Sequence, residues 1–287
     1  MTPHVVVVTD SAASVPEALI KRWGIVVVPL EVAIDGVVYR AQSELSTDRV
    51  LDALEADRKV STSQPSVGAF EEAYRIAAEA GADRIVSVHI SGKISGTVNG
   101  ARLAASSSPV PVNVVDSQSV GMGTGWAALA AAAKARVGAS EEEVVAEAVR
   151  VAASSSMLLT VDTLEYLRRG GRVPATVAAL GDALNIRPVL GIEDGGVVIL
   201  ERVRTTPRAR AAVVARAEAA IAALPNPGLA IMGLRAQEYA DDIAAVLEMK
   251  YPRLAMLIRT PVTSVLAVHG GPGSFAAMVA DLPPELR

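Results

Sequence analysis

The first half of the chain alternates short apolar runs with longer segments of helical character. The run at residues 5–9 shows no apolar–polar alternation, and similar short runs occupy residues 25–34, 84–90 and 112–115. Unbroken β-branched runs are typical of parallel strands covered on both faces. Because consecutive parallel strands need crossover helices, this order predicts an α/β domain with a parallel sheet and flanking helices.

The second half contains strands and helices in a different order. A predicted hairpin joins residues 186–192 to residues 197–204. Four further strands are predicted at residues 157–161, 229–233, 254–259 and 263–268. Because some strands come as hairpins and others alternate with helices, we expect a mixed sheet. The chain is therefore predicted to form two α/β domains, residues 1–156 and 157–287, with a ligand in the cleft between them.

Composition argues against several classes of protein. The 27 basic and 31 acidic residues give a net charge of −4, without the basic footprint of a nucleic-acid-binding protein. Apolar residues make up 51% of the chain, yet no uninterrupted run reaches the roughly 20 residues that span a bilayer. Because cysteine is absent and residues 1–4 lack the basic segment of a secretory signal, we expect no signal peptide and a cytoplasmic location.

Common motifs for nucleotides and metals are absent from the sequence. Residues 87–93 come close to a phosphate-binding P-loop, but Ser87 stands where glycine is needed and Ile94 follows Lys93. Three histidines without any cysteine argue against a zinc site. We therefore expect neither a metal nor a cofactor.

Two hydroxyl-rich segments precede predicted helices. Thr62 lies in the segment STSQPS, and Ser95 lies in the segment ISGKISGT. Short hydroxyls and unpaired backbone N–H groups at the start of a helix favour an anion. Each hydroxyl alone is also a common helix cap or turn residue. Together they indicate a site for a carboxylate, which needs several hydrogen-bond donors.

Two later segments add candidate polar groups. His269 follows the predicted strand 263–268 and precedes Gly-Gly-Pro-Gly. It is either part of a tight turn or a neutral imidazole that reaches a head group. The segment YLRRGGR at residues 166–172 ends a predicted helix in cations. These cations either complement the helix dipole or face the cleft.

The order of these segments resembles the DegV family of fatty-acid-binding proteins, which includes the B subunit of bacterial fatty acid kinase. The matching segments are TSQP at Thr62, SGT at Ser95, DS at Asp116, YLRRGGR, RPVL at Arg187, and HGGPG at His269. The resemblance covers about residues 5–280. The sequence departs from the family pattern at Gly92, where serine is usual, and at Val98, where a bulkier residue is common.

The resemblance implies a two-domain protein that encloses one long-chain fatty acid, such as palmitate or oleate, in an apolar tunnel. Thr62, Ser95 and His269 would bind the carboxylate. Arg172 and Arg204 match positions near the head group or the kinase-docking region. The supporting loop residues would be Ser63, Gln64, Gly96, Thr97 and Gly270. The resemblance also implies that the chain is not itself an enzyme. A separate ATP-binding subunit related to dihydroxyacetone kinase would form the acyl-phosphate, which feeds phospholipid synthesis.

Two other functions fit parts of the sequence. A serine hydrolase of acyl esters would use Ser95 as nucleophile and His269 as base, with Asp116 orienting the histidine. However, the segment GKISG around Ser95 is one residue too long for the Gly-x-Ser-x-Gly elbow of such enzymes. A self-contained kinase would need a nucleotide site of unfamiliar form.

Overall fold

The computed structural model describes residues 3–41, 43–173, 186–260 and 262–286. Within these residues the strands form three sheets. The first is fully parallel, in the order β2-β1-β6-β7. Its strands are β1 Val5–Asp10, β2 Val26–Val28, β6 Arg84–His89 and β7 Val112–Asp116. The second is antiparallel, in the order β4-β3-β5. Its strands are β3 Glu31–Ile34, β4 Val37–Arg40 and β5 Val60–Ser63.

The third sheet contains six strands in the order β10-β9-β8-β13-β11-β12. Its strands are β8 Ser156–Thr160, β9 Arg187–Glu193, β10 Gly196–Val203, β11 Pro227–Gly233, β12 Met256–Arg259 and β13 Phe275–Asp281. Strands β11 and β12 are parallel and the other neighbours are antiparallel, so this sheet is mixed. The predicted α/β fold, with a parallel sheet followed by a mixed one, is confirmed. The division into separate domains near residue 156 stays a prediction.

The helices are arranged in layers around these sheets. They are α1 Glu17–Trp23, α2 Thr47–Glu55, α3 Val67–Glu79, α4 Thr97–Ala105, α5 Met122–Arg136, α6 Glu141–Ser154, α7 Glu165–Arg169, α8 Thr206–Ala223, α9 Gln237–Lys250 and α10 Ser264–Gly270. Helices α3 and α4 cover one face of the parallel sheet, and α5 and α6 lie between that sheet and the six-stranded one. Helices α8 and α9 cover the far face of the six-stranded sheet. None of the helices described is long and apolar enough to cross a membrane.

Helix α5 explains how the two large sheets approach each other. All of its residues from Met122 to Ala133 are buried, and most are alanine or glycine. Small side chains on every face let a helix pack closely between two layers. The alanine-rich run of the sequence is therefore a central helix of the core.

Two sequence predictions for the fold are wrong, and one strand was missed. Residues 25–34 are not one strand, because Pro29 separates β2 in the parallel sheet from β3 in the second sheet. Proline lacks the N–H that would continue the ladder. Residues 263–268 are not a strand but belong to helix α10. Finally, the unpredicted strand β13 lies inside the six-stranded sheet.

Helix α10 shows why its strand prediction failed. A short apolar run does not distinguish a buried helix from a buried strand. Five of its seven residues are buried, and the helix packs against α2 and α7. It ends at Gly270, and the following residue, Gly271, has a φ of 71°, which suits glycine and stops the helix. The Gly-Gly pair that resembled a turn after a strand is thus a helix terminus.

Candidate functional site

A cavity lies where the three sheets and helix α10 meet. It contains about 950 Å³ of space between atoms, counted to the solvent at its mouth. Its apolar walls include Leu30, Ile90, Val120, Leu159, Met232 and Leu266. Clefts with mainly apolar walls are typical of sites for small organic ligands.

The polar lining of the cavity comes from a few side chains distant in sequence. These are Thr62, Ser63, Gln64, Ser95, Arg172, His269 and Ser274. Thr62, Ser95 and His269, the three residues predicted to bind a carboxylate, therefore line one cavity.

Thr62 reaches the cavity from an edge strand. It was predicted to lie in a loop at the start of a helix, but it belongs to β5 and pairs with Val32 of β3. Helix α3 begins later and is capped by Ser66, whose hydroxyl accepts from the Ala69 N–H at 3.2 Å. The Thr62 hydroxyl is therefore not part of a helix N-terminus. Its Oγ1 atom lies 2.9 Å from Nε2 of His269.

His269 sits in the last turn of α10 and packs against the end of α7. A Cβ atom at Gly170 would collide with the imidazole, so this glycine leaves the space that the ring occupies. The Nδ1 atom is buried and has no hydrogen-bond partner among the described residues. Burial, together with the positive charge of Arg172, lowers the pKa of His269 to about 4. The imidazole is therefore neutral at pH 7.

The unpartnered Nδ1 atom also indicates the tautomer of His269. If Nδ1 carried the proton, a buried donor would remain unsatisfied, which is rarer in proteins than an under-satisfied acceptor. With the proton on Nε2, the ring donates to Thr62 Oγ1 across 2.9 Å. The Thr62 hydroxyl then keeps its own hydrogen free to donate into the cavity. This arrangement suits an acceptor-only ligand group such as a carboxylate.

Ser95 and Gln64 bring the second loop beside the first. The Ser95 hydroxyl lies 2.8 Å from Thr97 Oγ1 and accepts weakly from the Thr97 N–H at 3.4 Å. The Gln64 amide occupies the space where a side chain at Gly96 would lie. Arg172 lies beside the same loop, because its Nε donates to the carbonyl of Ile94 at 3.3 Å. The hydroxyls, the imidazole and one guanidinium thus form one polar end of an apolar cavity.

Comparisons with known proteins identify the family of this chain. A family model described as "Uncharacterised protein, DegV family" matches residues 4–281. The chain belongs to the DegV family. The family assignment made from the order of the motifs is therefore confirmed. A DegV domain-containing protein of Streptomyces coelicolor is 41% identical over 281 residues, which cover 98% of this chain and 100% of that protein.

Solved structures of the DegV family share the whole fold. A DegV family protein from Thermus thermophilus, whose structure is described as showing fatty acid binding, has a TM-score of 0.90 and 32% identity. The match covers 97% of this chain and 100% of that one. DegV from Bacillus subtilis, described as a fatty acid binding protein, has a TM-score of 0.90 and 26% identity, covering 97% and 99% of the two chains.

The remaining predicted residues of this DegV chain take different places. Gly270 lines the cavity and its carbonyl accepts from the Ser274 hydroxyl at 2.8 Å. Arg204 lies on an exposed bend after β10 and does not line the cavity. Asp116 accepts from the N–H groups of Gly92 and Gln118, at 3.1 Å and 2.8 Å. The hydrolase arrangement of Ser95, His269 and Asp116 is thus not formed, since each bonds to another group.

A buried hydrogen-bond chain beneath the cavity was missed from the sequence. His89 Nδ1 lies 2.9 Å from Asp10 Oδ2, and His89 Nε2 lies 2.6 Å from Ser87 Oγ. Ser87 in turn contacts the Tyr74 hydroxyl at 3.1 Å, and burial raises the pKa of Tyr74 to about 12. Asp10 caps the loop after β1 by accepting from the Ala12 N–H, and the adjacent strands β1 and β6 also place it beside His89.

This buried chain has the residue types of a serine hydrolase triad but not its access. Asp10, Ser87 and His89 are each at most 1% exposed. A nucleophile buried in the core cannot reach a substrate. These hydrogen-bonded residues therefore have a structural role. No group of three or more potential metal ligands occurs among the residues that the structure describes.

Proposed function

We propose that this DegV family chain binds one long-chain fatty acid in the cavity and presents its carboxylate to a separate ATP-dependent kinase subunit. The observation that carries the proposal is the single polar end, around Thr62 and His269, of an otherwise apolar cavity. The fatty acid binding described for the relatives from Thermus thermophilus and Bacillus subtilis supports it.

The two parts of the cavity have separate energetic roles. Burying a C16 tail at roughly 0.8 kcal/mol per methylene gives on the order of 10 kcal/mol, before the cost of ordering the ligand. The hydroxyls of Thr62 and Ser95 contribute orientation. A fully buried, unpaired carboxylate is costly. The carboxylate therefore lies at the polar end, where Arg172 supplies a positive charge and a partner subunit gains access.

Carboxylate recognition is tested by comparing an acid with its ester. Delipidated protein is titrated calorimetrically with palmitate and with methyl palmitate, which share the same tail. The proposal predicts that the acid binds at least about tenfold more tightly, corresponding to about 1.4 kcal/mol. Equal affinities would contradict a carboxylate site. The variant Thr62→Val should reduce the difference in affinity between palmitate and methyl palmitate, whereas Thr62→Ser should preserve this difference.

Presentation to a kinase needs a separate test. The loaded chain is mixed with ATP and a kinase subunit related to dihydroxyacetone kinase, and acyl-phosphate is trapped with hydroxylamine. The chain alone should give no product. Arg204→Glu should reduce product formation while fatty acid affinity is retained. If fatty acid binding were lost instead, Arg204 would belong to the pocket or the fold. Acyl-phosphate formation would connect the chain to phospholipid synthesis.

The geometry disfavours the serine hydrolase considered from the sequence. Its nucleophile would be Ser95, but His269 contacts Thr62 instead. A fluorophosphonate probe tests it directly, because a reactive serine is labelled covalently. Labelling of Ser95 that is lost in Ser95→Ala would favour the hydrolase over the carrier. We expect no labelling.

A further inference from the structure

Strand β13 forms the floor of the cavity, and the cavity extends along this strand. Ser274, just before the strand, and then Ala276 and Met278 line the cavity. The alternate residues, including Phe275 and Val279, pack in the core beneath α8 and α9. This is the two-residue alternation expected of a strand that separates two layers.

The polar end of the cavity lies at the start of this strand. The Ser274 hydroxyl donates to the Gly270 carbonyl at 2.8 Å, and Gly270 follows His269 directly. Met278 is four residues further along, and at about 3.4 Å per residue it lies roughly 14 Å from Ser274. A ligand whose carboxylate is held near His269 therefore extends its tail over Ala276 toward Met278.

The neighbouring strands shape a groove above Ala276. This small residue pairs with Leu159 of β8 and with Met232 of β11, both of which line the cavity. The next pair on this face, Met278 and Met157, is large on both strands. A small residue between large ones leaves room for a chain to pass, whereas the two methionines narrow the floor beyond it.

At this point the Met278 side chain lies against Gly121. A Cβ atom added at Gly121 would lie 2.6 Å from Met278 Cε and 3.5 Å from Leu266 Cδ1. The thioether therefore packs onto the backbone of Gly121. That backbone has φ 59° and ψ −141°, a conformation that residues with a side chain avoid. The start of α5 follows at Met122, which is fully buried.

We propose that Met278, packed against Gly121, is the end wall of the acyl tunnel and sets the longest fatty acid that the chain accepts. This inference rests on the proposed function. A tail that ends before Met278 gains contact with every added methylene. A longer tail must displace the thioether or leave its end unaccommodated, so the gain stops there.

The test measures affinity across a series of chain lengths. Delipidated protein is loaded with a fluorescent fatty acid, which saturated acids from C10 to C20 then displace. Met278→Ala should move the preferred length upward. Each additional buried methylene should improve affinity about fourfold, the factor equivalent to about 0.8 kcal/mol. Ala276→Leu should move the preferred length downward, because it fills the groove before the wall.

Two further variants separate the wall from general effects on the core. Val279→Ala also removes apolar bulk from β13, but from the face that packs under α8 and α9, and should leave the length profile unchanged. Met278→Leu keeps most of the volume and gives a milder change if Met278→Ala unfolds. Thermal unfolding of each variant confirms that it is folded.

The outcomes distinguish this inference from the proposed function. An upward shift in Met278→Ala together with a downward shift in Ala276→Leu supports the end wall. An unchanged length profile in folded Met278→Ala, while wild type binds fatty acids, overturns the end wall and leaves the proposed function intact. Failure of wild type to bind any acid of the series would overturn the proposed function itself.

Discussion

The histidine sites at His89 and His269 differ in burial and in how completely their polar atoms are hydrogen-bonded. His89 lies in the parallel sheet, is fully buried, and has Asp10 and Ser87 on its two ring nitrogens. The ring also meets Phe70 edge-on at 5.2 Å between centroids. His269 at the cavity has Thr62 on one nitrogen and no partner among the described residues on the other.

This difference is why we propose that His269, and not His89, belongs to the ligand site. Buried polar groups in stable proteins are almost always paired, so a complete network requires no ligand to explain it. An imidazole with one partner, held neutral beside a free hydroxyl, instead leaves donor capacity directed at the cavity. Residue type alone would rank the Asp10–His89–Ser87 chain as the catalytic candidate. Because these three residues are fully buried and hydrogen-bonded to one another, we rank them below the residues around His269 as a candidate site.

The largest effect is expected when the Asp10 carboxylate beside His89 is removed. Asp10→Ala leaves His89 and the N–H groups of Ala12 and Ile90 without their buried partner. We expect a loss of about 3 kcal/mol in the free energy of unfolding, measured by urea denaturation. Asp241→Ala, which removes an exposed carboxylate from α9, is the control and should cost far less. A cost for Asp10→Ala as small as the control's would contradict the structural role.

The second test measures how the stability contributed by His269 depends on pH. The pKa of this histidine falls from its ordinary 6.5 to about 4 in the folded chain. Between these values the unfolded chain binds more protons, so stability decreases as the pH falls below 6.5. By pH 5 the ligand-free wild type should lose about 2 kcal/mol that His269→Gln does not lose. Parallel pH profiles for the two proteins would show that His269 is not buried in its neutral form.

The third test concerns the hydroxyl that faces the cavity. Thr62→Val keeps the shape but removes the donor, and we expect fatty acid affinity to fall about tenfold, or about 1.4 kcal/mol. Thr62→Ser, which keeps the hydroxyl, should bind nearly as well as wild type. Calorimetric titration with palmitate measures both. If Thr62→Val bound as tightly as wild type, the hydroxyl would not contact the carboxylate.

Ser95 should give the smallest effect, because its hydroxyl already interacts with Thr97. For Ser95→Ala we expect a loss of affinity of about 1 kcal/mol or less. The control is Ser66→Ala, which removes the cap of α3 and should lower stability without changing affinity per folded molecule. An affinity loss in Ser66→Ala equal to that in Ser95→Ala would indicate that both act through the loop structure alone.

The parts of the fold that repeat simple patterns were predictable from the sequence. Parallel strands with unbroken valine runs, such as β1, are recognisable because both faces are buried. The hairpin around residues 193–196 is recognisable from its turn residues. Helix α10 and strand β13 were not, because both are short apolar segments near glycines. Helix α10 is determined by its packing against α2, and strand β13 is determined by its pairing with β8 and β11.

The candidate site was predictable as a set of residues but not as a geometry. The order of the motifs named Thr62, Ser95 and His269, and the structure places all three around one cavity. The contact between Thr62 and His269 joins residues 207 positions apart, which no local pattern encodes. The role of Gly170 in making room for the imidazole depends on the same tertiary contact. Such contacts follow from how helices and sheets pack.

The most direct measurement of the central claim is the ligand content of the purified chain. Recombinant protein is extracted under denaturing conditions, and the organic phase is examined by mass spectrometry alongside its protein concentration. Binding in the apolar cavity predicts close to one C14–C18 fatty acid per chain, or uptake to that ratio after oleate or palmitate is added. An empty chain that takes up neither acid would contradict the account.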